Sequence, residues 1–179
     1  LACTSCSDSW LDLNPSTSVP TDQAFSSLED AQSALNGIYR LASAHSYYGD
    51  NFFYFGDCRA ADVQARMTKG DGRRVSPYYE YNVKATDSFN SSLPWNQVYK
   101  VIRQTNNLIA ATESGLIKTT DEAALNEIKA QALAMRGLAL YDLIRVFAMP
   151  YSYDNGQSLV VPIVTTATDQ SSKPARNTV

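Results

Sequence analysis

The first long periodic segment of the chain carries apolar residues at steps of three and four positions, which is the period of an α-helix. The preceding Ser26-x-x-Glu29 has capping-box spacing, in which a serine oxygen and a carboxylate pair with backbone N–H groups at a helix start. The pattern predicts an amphipathic helix over 27–43. Its apolar positions are Leu28, Ala31, Leu35, Ile38 and Ala42.

Two longer helices are predicted in the second half of the chain. The second helix, over 94–113, begins at Pro94, which suits a first turn, and is stopped by Gly115. The third helix, over 121–147, ends before Pro150. Its two apolar stripes require packing partners on two sides, as in a helical bundle or an α-solenoid. The stripes are Leu125, Ile128, Ala132, Met135, Ala139, Leu143 and Val146, and then Leu133, Leu140, Ile144 and Phe147.

Residues 45–92 break the helical period with glycines, prolines and aromatic residues. They predict a long irregular loop with a short helix near 56–67. Flat rings with a polar tip can stack on sugars or hold a peptide, so some are candidate ligand contacts. Most rings are expected to pack the loop onto the helices, because an ordered loop must bury apolar surface. The ligand candidates are Tyr47, Tyr48, Phe53, Tyr54, Tyr78, Tyr79 and Tyr81.

After the third helix, residues 159–164 form a short apolar run that contains Pro162. Proline cannot donate a hydrogen bond to a neighbouring strand, so this run suits an edge rather than the centre of a sheet. No other segment shows the alternation of a strand. The sequence therefore predicts an all-α fold with long irregular loops.

Charge and composition argue against a nucleic-acid partner and against a membrane-spanning helix. The chain has 15 basic and 18 acidic side chains and a net charge of −3, so no nucleic-acid partner is predicted. Apolar residues make up 44% of the chain, which is typical of a globular protein. No apolar run approaches the roughly 20 residues of a membrane-spanning helix.

Candidate catalytic and metal-binding residues are few. His45 is the single histidine, and no Gly-x-Ser-x-Gly elbow presents a serine nucleophile. Cys3-x2-Cys6 is the single close cysteine pair, and Cys58 stands alone, so neither a metal nor a cofactor is predicted. No catalytic residue is assigned. A glycosidase that uses loop carboxylates stays open as an alternative, with candidates at Asp50, Asp57, Asp62 and Asp71.

Four motifs follow one another along the chain. They are Cys6-Ser7-Asp8-Ser9-Trp10-Leu11-Asp12-Leu13-Asn14-Pro15, Trp95-x3-Tyr99-x2-Ile102-x3-Asn106, Met135-Arg136-Gly137 leading to Tyr141, Leu143, Phe147 and Pro150, and Arg176-Asn177-Thr178-Val179. Together they resemble the SusD/RagB family of Bacteroidetes outer-membrane lipoproteins, over nearly all of the chain. The positions that resemble the family's scaffold helices are Trp95, Tyr99, Ile102, Asn106, Arg136, Tyr141 and Phe147.

The resemblance implies a tetratricopeptide-like scaffold, an α-α superhelix of which this chain is a truncated part. Residues 1–20 would hold a signal-peptide remnant, the lipidation site and an extended tether. Cys6 is the preferred lipidation site, because the polar tether follows it directly, and Cys3 is the alternative. Residues 21–179 would be the N-terminal part of a helical domain that continues beyond the C-terminus.

The resemblance also implies a function. Such proteins lie on the extracellular face of the outer membrane, held by a lipid anchor only, and are not enzymes. They capture oligosaccharide and deliver it to a SusC-like TonB-dependent transporter. Two alternatives stay open, a RagB-like member that captures peptide and a generic tetratricopeptide-like adaptor for protein partners.

Overall fold

The computed structural model describes residues 24–60, 76–82, 94–167 and 172–178. Within these ranges the chain consists of helices and loops, with one isolated backbone bridge between Ser27 and Lys118. The predicted all-α class is confirmed for the part of the chain described. The helices are α1 (Leu28–Ala42), α2 (Asn51–Asp57), α3 (Ser76–Tyr79), α4 (Pro94–Glu113), α5 (Glu122–Phe147) and α6 (Tyr151–Asp154).

Among the helices described, α4 makes the most extensive contacts and packs against both α1 and α5. Helix α1 also contacts α5, so the three long helices share one apolar core. Burial of these apolar faces is the main favourable contribution to folding. The large side chains that are almost fully buried include Leu35 and Ile38 of α1, Ile102 and Leu108 of α4, and Leu143 of α5.

Helix α1 begins one residue later than the predicted capping box. The Ser27 hydroxyl accepts a hydrogen bond from Asp30 N at 3.1 Å, and Asp30 Oδ2 accepts one from Ser27 N at 2.9 Å. The predicted pair Ser26 and Glu29 is therefore wrong by one position. Two adjacent serines precede two adjacent acids, so spacing alone cannot choose between the pairs. Hydrogen bonds from Ser26 and then Ser27 lower the pKa of Asp30.

The connection between α4 and α5 is fixed at three points. Gly115 has a φ of +73°, which confirms the predicted left-handed stop after α4. Lys118 N donates to Ser26 O at 3.0 Å, which ties the connection to the start of α1. The Asp121 carboxylate then caps α5 by accepting from Ala124 N at 2.9 Å.

Helix α5 buries its first predicted stripe against α4 and α1. The second stripe is only partly covered, since Leu140, Ile144 and Phe147 pack against the core whereas Leu133 is exposed. Leu138 and Tyr141 are also exposed. The described residues therefore leave one side of α5 uncovered along much of its length.

The shorter elements differ from the sequence-based expectations. The predicted helix near 56–67 is wrong where it can be compared, because α2 spans Asn51–Asp57 and a turn follows at 58–60. Residues 61–67 lie outside the described ranges. Helices α3 and α6 were not predicted, because a single turn is too short to show a helical period.

The run at 159–164 forms no strand, and side chains of the long helices take the place of a strand partner. Tyr99 Oη donates to Pro162 O at 2.8 Å, and Asn106 Nδ2 donates to Val164 O at 3.0 Å. Further along, Val160 N donates to Asn177 O at 2.7 Å. This segment is thus bonded to α4 on one side and to residues 172–178 on the other.

Candidate functional site

The aromatic loop, residues 43–58, folds back tightly after α1. Tyr48 N donates to Ala42 O at 3.1 Å, and Gly49 N donates to Ala44 O at 3.0 Å. A Cβ atom at Gly49 would lie 2.7 Å from the carbonyl oxygen of Ser43. The turn therefore requires glycine at this position, and it directs Tyr47 and Tyr48 toward α5.

We expect Gly49→Ala to lower the free energy of unfolding by about 1–3 kcal/mol, because the new methyl group meets rigid backbone atoms. Gly37→Ala is the control, since nothing lies within 4 Å of a Cβ atom at Gly37 in α1. That control should stabilise the protein by about 0.5–1 kcal/mol. Urea unfolding measures both variants, and equal stability of the two would contradict the steric requirement.

Two consecutive tyrosines of the aromatic loop donate to one carboxylate oxygen on α5. Tyr47 Oη and Tyr48 Oη each lie 2.6 Å from Asp142 Oδ2. Tyr47 and Asp142 are both only 1% exposed. Burial, followed by the bond to Asp142, raises the pKa of Tyr48 to about 12 and also raises the pKa of Tyr47. The hydroxyls therefore stay protonated and act as donors at neutral pH.

The stability of the protein should fall in alkali. The pKa of Tyr48 is about 12 in the folded chain against about 10 for an ordinary tyrosine, so the folded state holds this proton more tightly. This contribution is complete below about pH 10 and is lost as the pH rises toward 12. Urea midpoints at pH 8, 10 and 11 should fall less steeply in Tyr48→Phe than in the wild type. Parallel curves for the two proteins would contradict this prediction.

Aromatic rings of the loop form a continuous cluster around this carboxylate. The Tyr48 ring centroid lies 4.4 Å from that of Tyr47, 5.3 Å from that of Phe52 and 5.9 Å from that of Phe53. These separations are typical of favourable aromatic pairs. The cluster leads outward from the buried Tyr47 to Phe53, which is 46% exposed.

Arg145 covers the outer side of the cluster. Its Nη1 lies 3.6 Å from Asp142 Oδ1, and its guanidinium group lies 5.8 Å from the Phe52 ring centroid and 5.5 Å from that of Tyr141. Both ring distances are in the range of cation–π contacts. The arginine is therefore stacked between a loop ring and a helix ring while its side chain stays 55% exposed.

A second aromatic group lies at the end of α2. The Phe55 and Tyr78 ring centroids are 5.9 Å apart, and the Arg59 guanidinium lies 4.8 Å from the Phe55 centroid and 5.4 Å from that of Tyr81. The Tyr81 hydroxyl also donates to the carbonyl oxygen of Arg59. These contacts connect α2 with the segment at 76–82.

The seven ligand candidates separate by burial. Tyr47 and Tyr78 are buried, so neither ring offers a face to a ligand in this structure, and both serve to pack the loop. Both are therefore corrected from ligand contacts to core residues. Tyr48 and Tyr54 are half-buried. The rings exposed to solvent are those of Phe53, Tyr79 and Tyr81.

Most scaffold candidates lie in the core. The Trp95 ring centroid is 5.0 Å from those of Tyr99 and Phe147, and Ile102 is fully buried. Asn106 Oδ1 accepts from Arg136 Nη1 at 3.0 Å.

Tyr141 is the scaffold candidate that differs, because it is 58% exposed and its ring contacts the Arg145 guanidinium. It lies on α5, the helix that its motif predicts, with its side chain directed outward.

Asp142 and Arg145 were missed by the sequence analysis. Asp142 lies next to Leu143 and three positions after Ala139, both members of the buried stripe of α5. A charged residue inside an apolar stripe is the signal that could have identified it, since a buried charge requires a partner.

The cysteines and the histidine considered for metal binding do not form a common site in the described ranges. Cys58 is buried, and burial raises the pKa of its thiol. His45 Nδ1 lies 3.0 Å from Asp50 Oδ2. Cys3 and Cys6 lie outside the described residues, as does the proposed tether at 1–20. Among the residues described, no group of three or more metal-ligating side chains comes together. None of the helices described is long and apolar enough to cross a membrane.

An open groove along α1 is less suited to sugars than the exposed rings. It has a volume of 690 Å³ and lies along α1, where Ile38, Leu41 and Ala44 line it beside Arg40 and Gln104. The single ring in its lining is that of Phe25, which is buried. Sugar recognition generally needs exposed ring faces beside polar donors, so the exposed rings of the loop are the stronger candidate surface.

Comparisons with known proteins identify the family. Residues 9–179 match a SusD-like family model described as starch-binding and associating with the outer membrane. The chain is 31% identical over 151 residues to SusD-like protein P2 of Formosa agariphila, covering 82% of this chain and 28% of that protein.

Crystal structures of two SusD superfamily proteins have the same fold. One, from Bacteroides thetaiotaomicron, is 67% identical with a TM-score of 0.80, and the match covers 85% of this chain and 33% of that one. The other, from Bacteroides vulgatus, is 31% identical with a TM-score of 0.79, over 86% of this chain and 34% of that one. The chain spans about a third of these relatives, and their match confirms the tetratricopeptide-like helical scaffold. The chain belongs to the SusD-like family.

Proposed function

We propose that this chain is part of a cell-surface protein that binds oligosaccharide and delivers it to a SusC-like TonB-dependent transporter. The observation that carries the proposal is the match of residues 9–179 to a family described as starch-binding and associating with the outer membrane. The role is binding rather than catalysis. Peptide capture and a generic adaptor role are the competing outcomes of the experiments below.

The exposed rings of the aromatic region supply a surface suited to sugars. Phe53 is 46% exposed and Tyr81 is 67% exposed, so each offers a face that can stack on a pyranose ring. The Arg59 guanidinium beside Tyr81 adds hydrogen-bond donors for sugar hydroxyl groups. Apolar faces next to a few polar donors are typical of small-ligand sites.

We expect Phe53→Ala and Tyr81→Ala each to weaken oligosaccharide binding by about 3- to 10-fold, which corresponds to the loss of one stacked ring. Tyr153→Ala is the matched control, because Tyr153 is 70% exposed but lies on α6. Isothermal titration with maltoheptaose and with oligosaccharides of other linkages measures all three variants. An equal loss of binding in the control would contradict the assignment of Phe53 and Tyr81 as sugar contacts.

We also propose that the protein is held on the extracellular face of the outer membrane by a lipid on Cys6, with Cys3 as the alternative. Several acyl chains anchor a protein more stably than one reversible chain can. Labelled palmitate should be incorporated by the wild type and lost when Cys6→Ala and Cys3→Ala are combined. Incorporation by the double variant would contradict the anchor.

The proposed transporter is tested by purification from outer membranes. A tagged full chain should recover a β-barrel TonB-dependent transporter, because the proposed role requires direct transfer of the ligand. Recovery of other proteins without a transporter would favour the adaptor role.

We further propose that 21–179 is the N-terminal part of a longer helical domain. The uncovered side of α5, with Leu133, Leu138 and Tyr141 exposed, would then pack against helices that follow. Support comes from the relatives, of which this chain spans about a third.

A further inference from the structure

Asp142 joins two parts of the chain that are far apart in sequence. It lies on α5, while the hydroxyls it binds belong to Tyr47 and Tyr48, 95 and 94 positions earlier. Both contacts are 2.6 Å long, as expected for hydrogen bonds from hydroxyl groups to an ionised acceptor. The aromatic loop is thereby fixed to the longest helix of the described fold.

A carboxylate at this position is costly for stability alone. Its neighbours on the buried stripe are Ala139 and Leu143, and burying a carboxylate among them has a desolvation cost that an apolar side chain does not have. Within the described part of the chain, Asp142 Oδ1 is buried without a hydrogen bond and lies 3.6 Å from Arg145 Nη1. An apolar residue could not hold two hydroxyls at fixed positions. The carboxylate therefore specifies the placement of the loop.

The placement of Tyr48 reaches the exposed part of the loop through direct contacts. The Tyr48 ring packs on Phe52 and Phe53, and Phe52 N donates to Tyr47 O at 3.1 Å. A shift of the tyrosines would move Phe53, whose exposed ring is part of the proposed ligand surface. Arg145 adds a second restraint, because its guanidinium stacks on Phe52 while it faces Asp142.

We propose that Asp142 is a positioning residue for ligand binding, which holds the aromatic loop in its binding geometry through Tyr47 and Tyr48. Its effect on affinity rests on the proposed oligosaccharide-binding function, whereas its effect on the loop does not.

The test compares three variants in the full chain. Tyr48→Phe removes one hydroxyl and keeps the ring, and Asp142→Asn removes the charge and keeps the size. The control Tyr99→Phe removes the same atom from another partly buried tyrosine, whose hydroxyl donates to Pro162 O at 2.8 Å instead. Hydrogen exchange of residues 44–58, the dissociation constant for oligosaccharides including maltoheptaose, and the melting temperature are measured for each.

Tyr48→Phe and Asp142→Asn should each speed exchange in residues 44–58 by about tenfold and weaken oligosaccharide binding by a similar factor. Tyr99→Phe should leave the exchange rate of residues 44–58 and the dissociation constant within about twofold of the wild type. This should hold even if its melting temperature falls as much as those of the other two variants. Exchange or affinity that changes equally in the control would overturn the proposal, because the effect would then be one of general stability. If the wild type binds no oligosaccharide, the proposed function fails, and the exchange of residues 44–58 still decides whether Asp142 fixes the loop.

Discussion

Replacing Asn106 by leucine is expected to lower the free energy of unfolding by about 3 kcal/mol, because three partly buried hydrogen bonds are lost at once. Asn106 Nδ2 donates to the carbonyl oxygens of Val164 and Thr166, both at 3.0 Å, and its Oδ1 accepts from Arg136. The amide thus holds residues 164–166 against α4 and also pairs with Arg136 of α5, which itself donates to Thr165 O. Leucine fits the space but offers neither a donor nor an acceptor.

Asn36→Leu is the matched control for this experiment. Asn36 lies on the exposed face of α1, where it accepts a 3.3 Å hydrogen bond from Gln32 Nε2, and its loss should change stability by less than about 0.5 kcal/mol. Urea unfolding gives the free energies, and limited proteolysis should cut residues 158–166 faster in Asn106→Leu. Equal stability of the two variants would show that this amide does not hold the segment.

Replacing Ile102 by alanine is expected to destabilise the protein by about 2–5 kcal/mol, through lost apolar burial and the cavity that remains. Ile102 is 1% exposed on α4, which makes the most extensive contacts with the other long helices. Ile163→Ala is the control, because this isoleucine is 37% exposed and the same atoms are removed. A loss of stability as small as that of the control would contradict the central place of α4 in the core.

The three long helices could be predicted from sequence because their apolar residues keep one period over four or more turns. The start of α1 was predicted one residue too early, since Ser26 and Ser27 offer equivalent capping spacings. Residues 159–164 have the composition of a strand, but the carbonyl groups of Pro162 and Val164 accept hydrogen bonds from side chains of α4. The next carbonyl group, that of Thr165, accepts from Arg136 of α5. A hydrogen bond between a side chain and a backbone group far apart in sequence leaves no periodic pattern in the sequence.

The candidate site was predictable as a region but not as individual residues. Tyr47 and Tyr48 are adjacent and chemically identical, and both hydroxyls donate to Asp142 Oδ2, yet the first side chain is fully buried and the second half-buried. The composition shows that the loop is rich in aromatic residues, but it does not show which of them are buried and which are exposed. Their common partner, Asp142, lies on a helix more than 90 positions away in sequence.

Tyr141 lies on the helix that its motif predicts but faces outward. In the described part of the chain it is 58% exposed beside Arg145. A motif carries information about the whole domain, and this chain spans about a third of its relatives. The neighbours of an outward-facing residue therefore cannot be read from this segment alone.

The central claim is that the protein binds a glycan and leaves it intact. The most direct measurement is isothermal titration of the full chain with maltoheptaose and a panel of other oligosaccharides, followed by chromatography of the recovered sugar. We predict saturable binding of at least one oligosaccharide, recovered at its original length. Shortened products, or binding of peptides with no binding of any oligosaccharide, would contradict the claim.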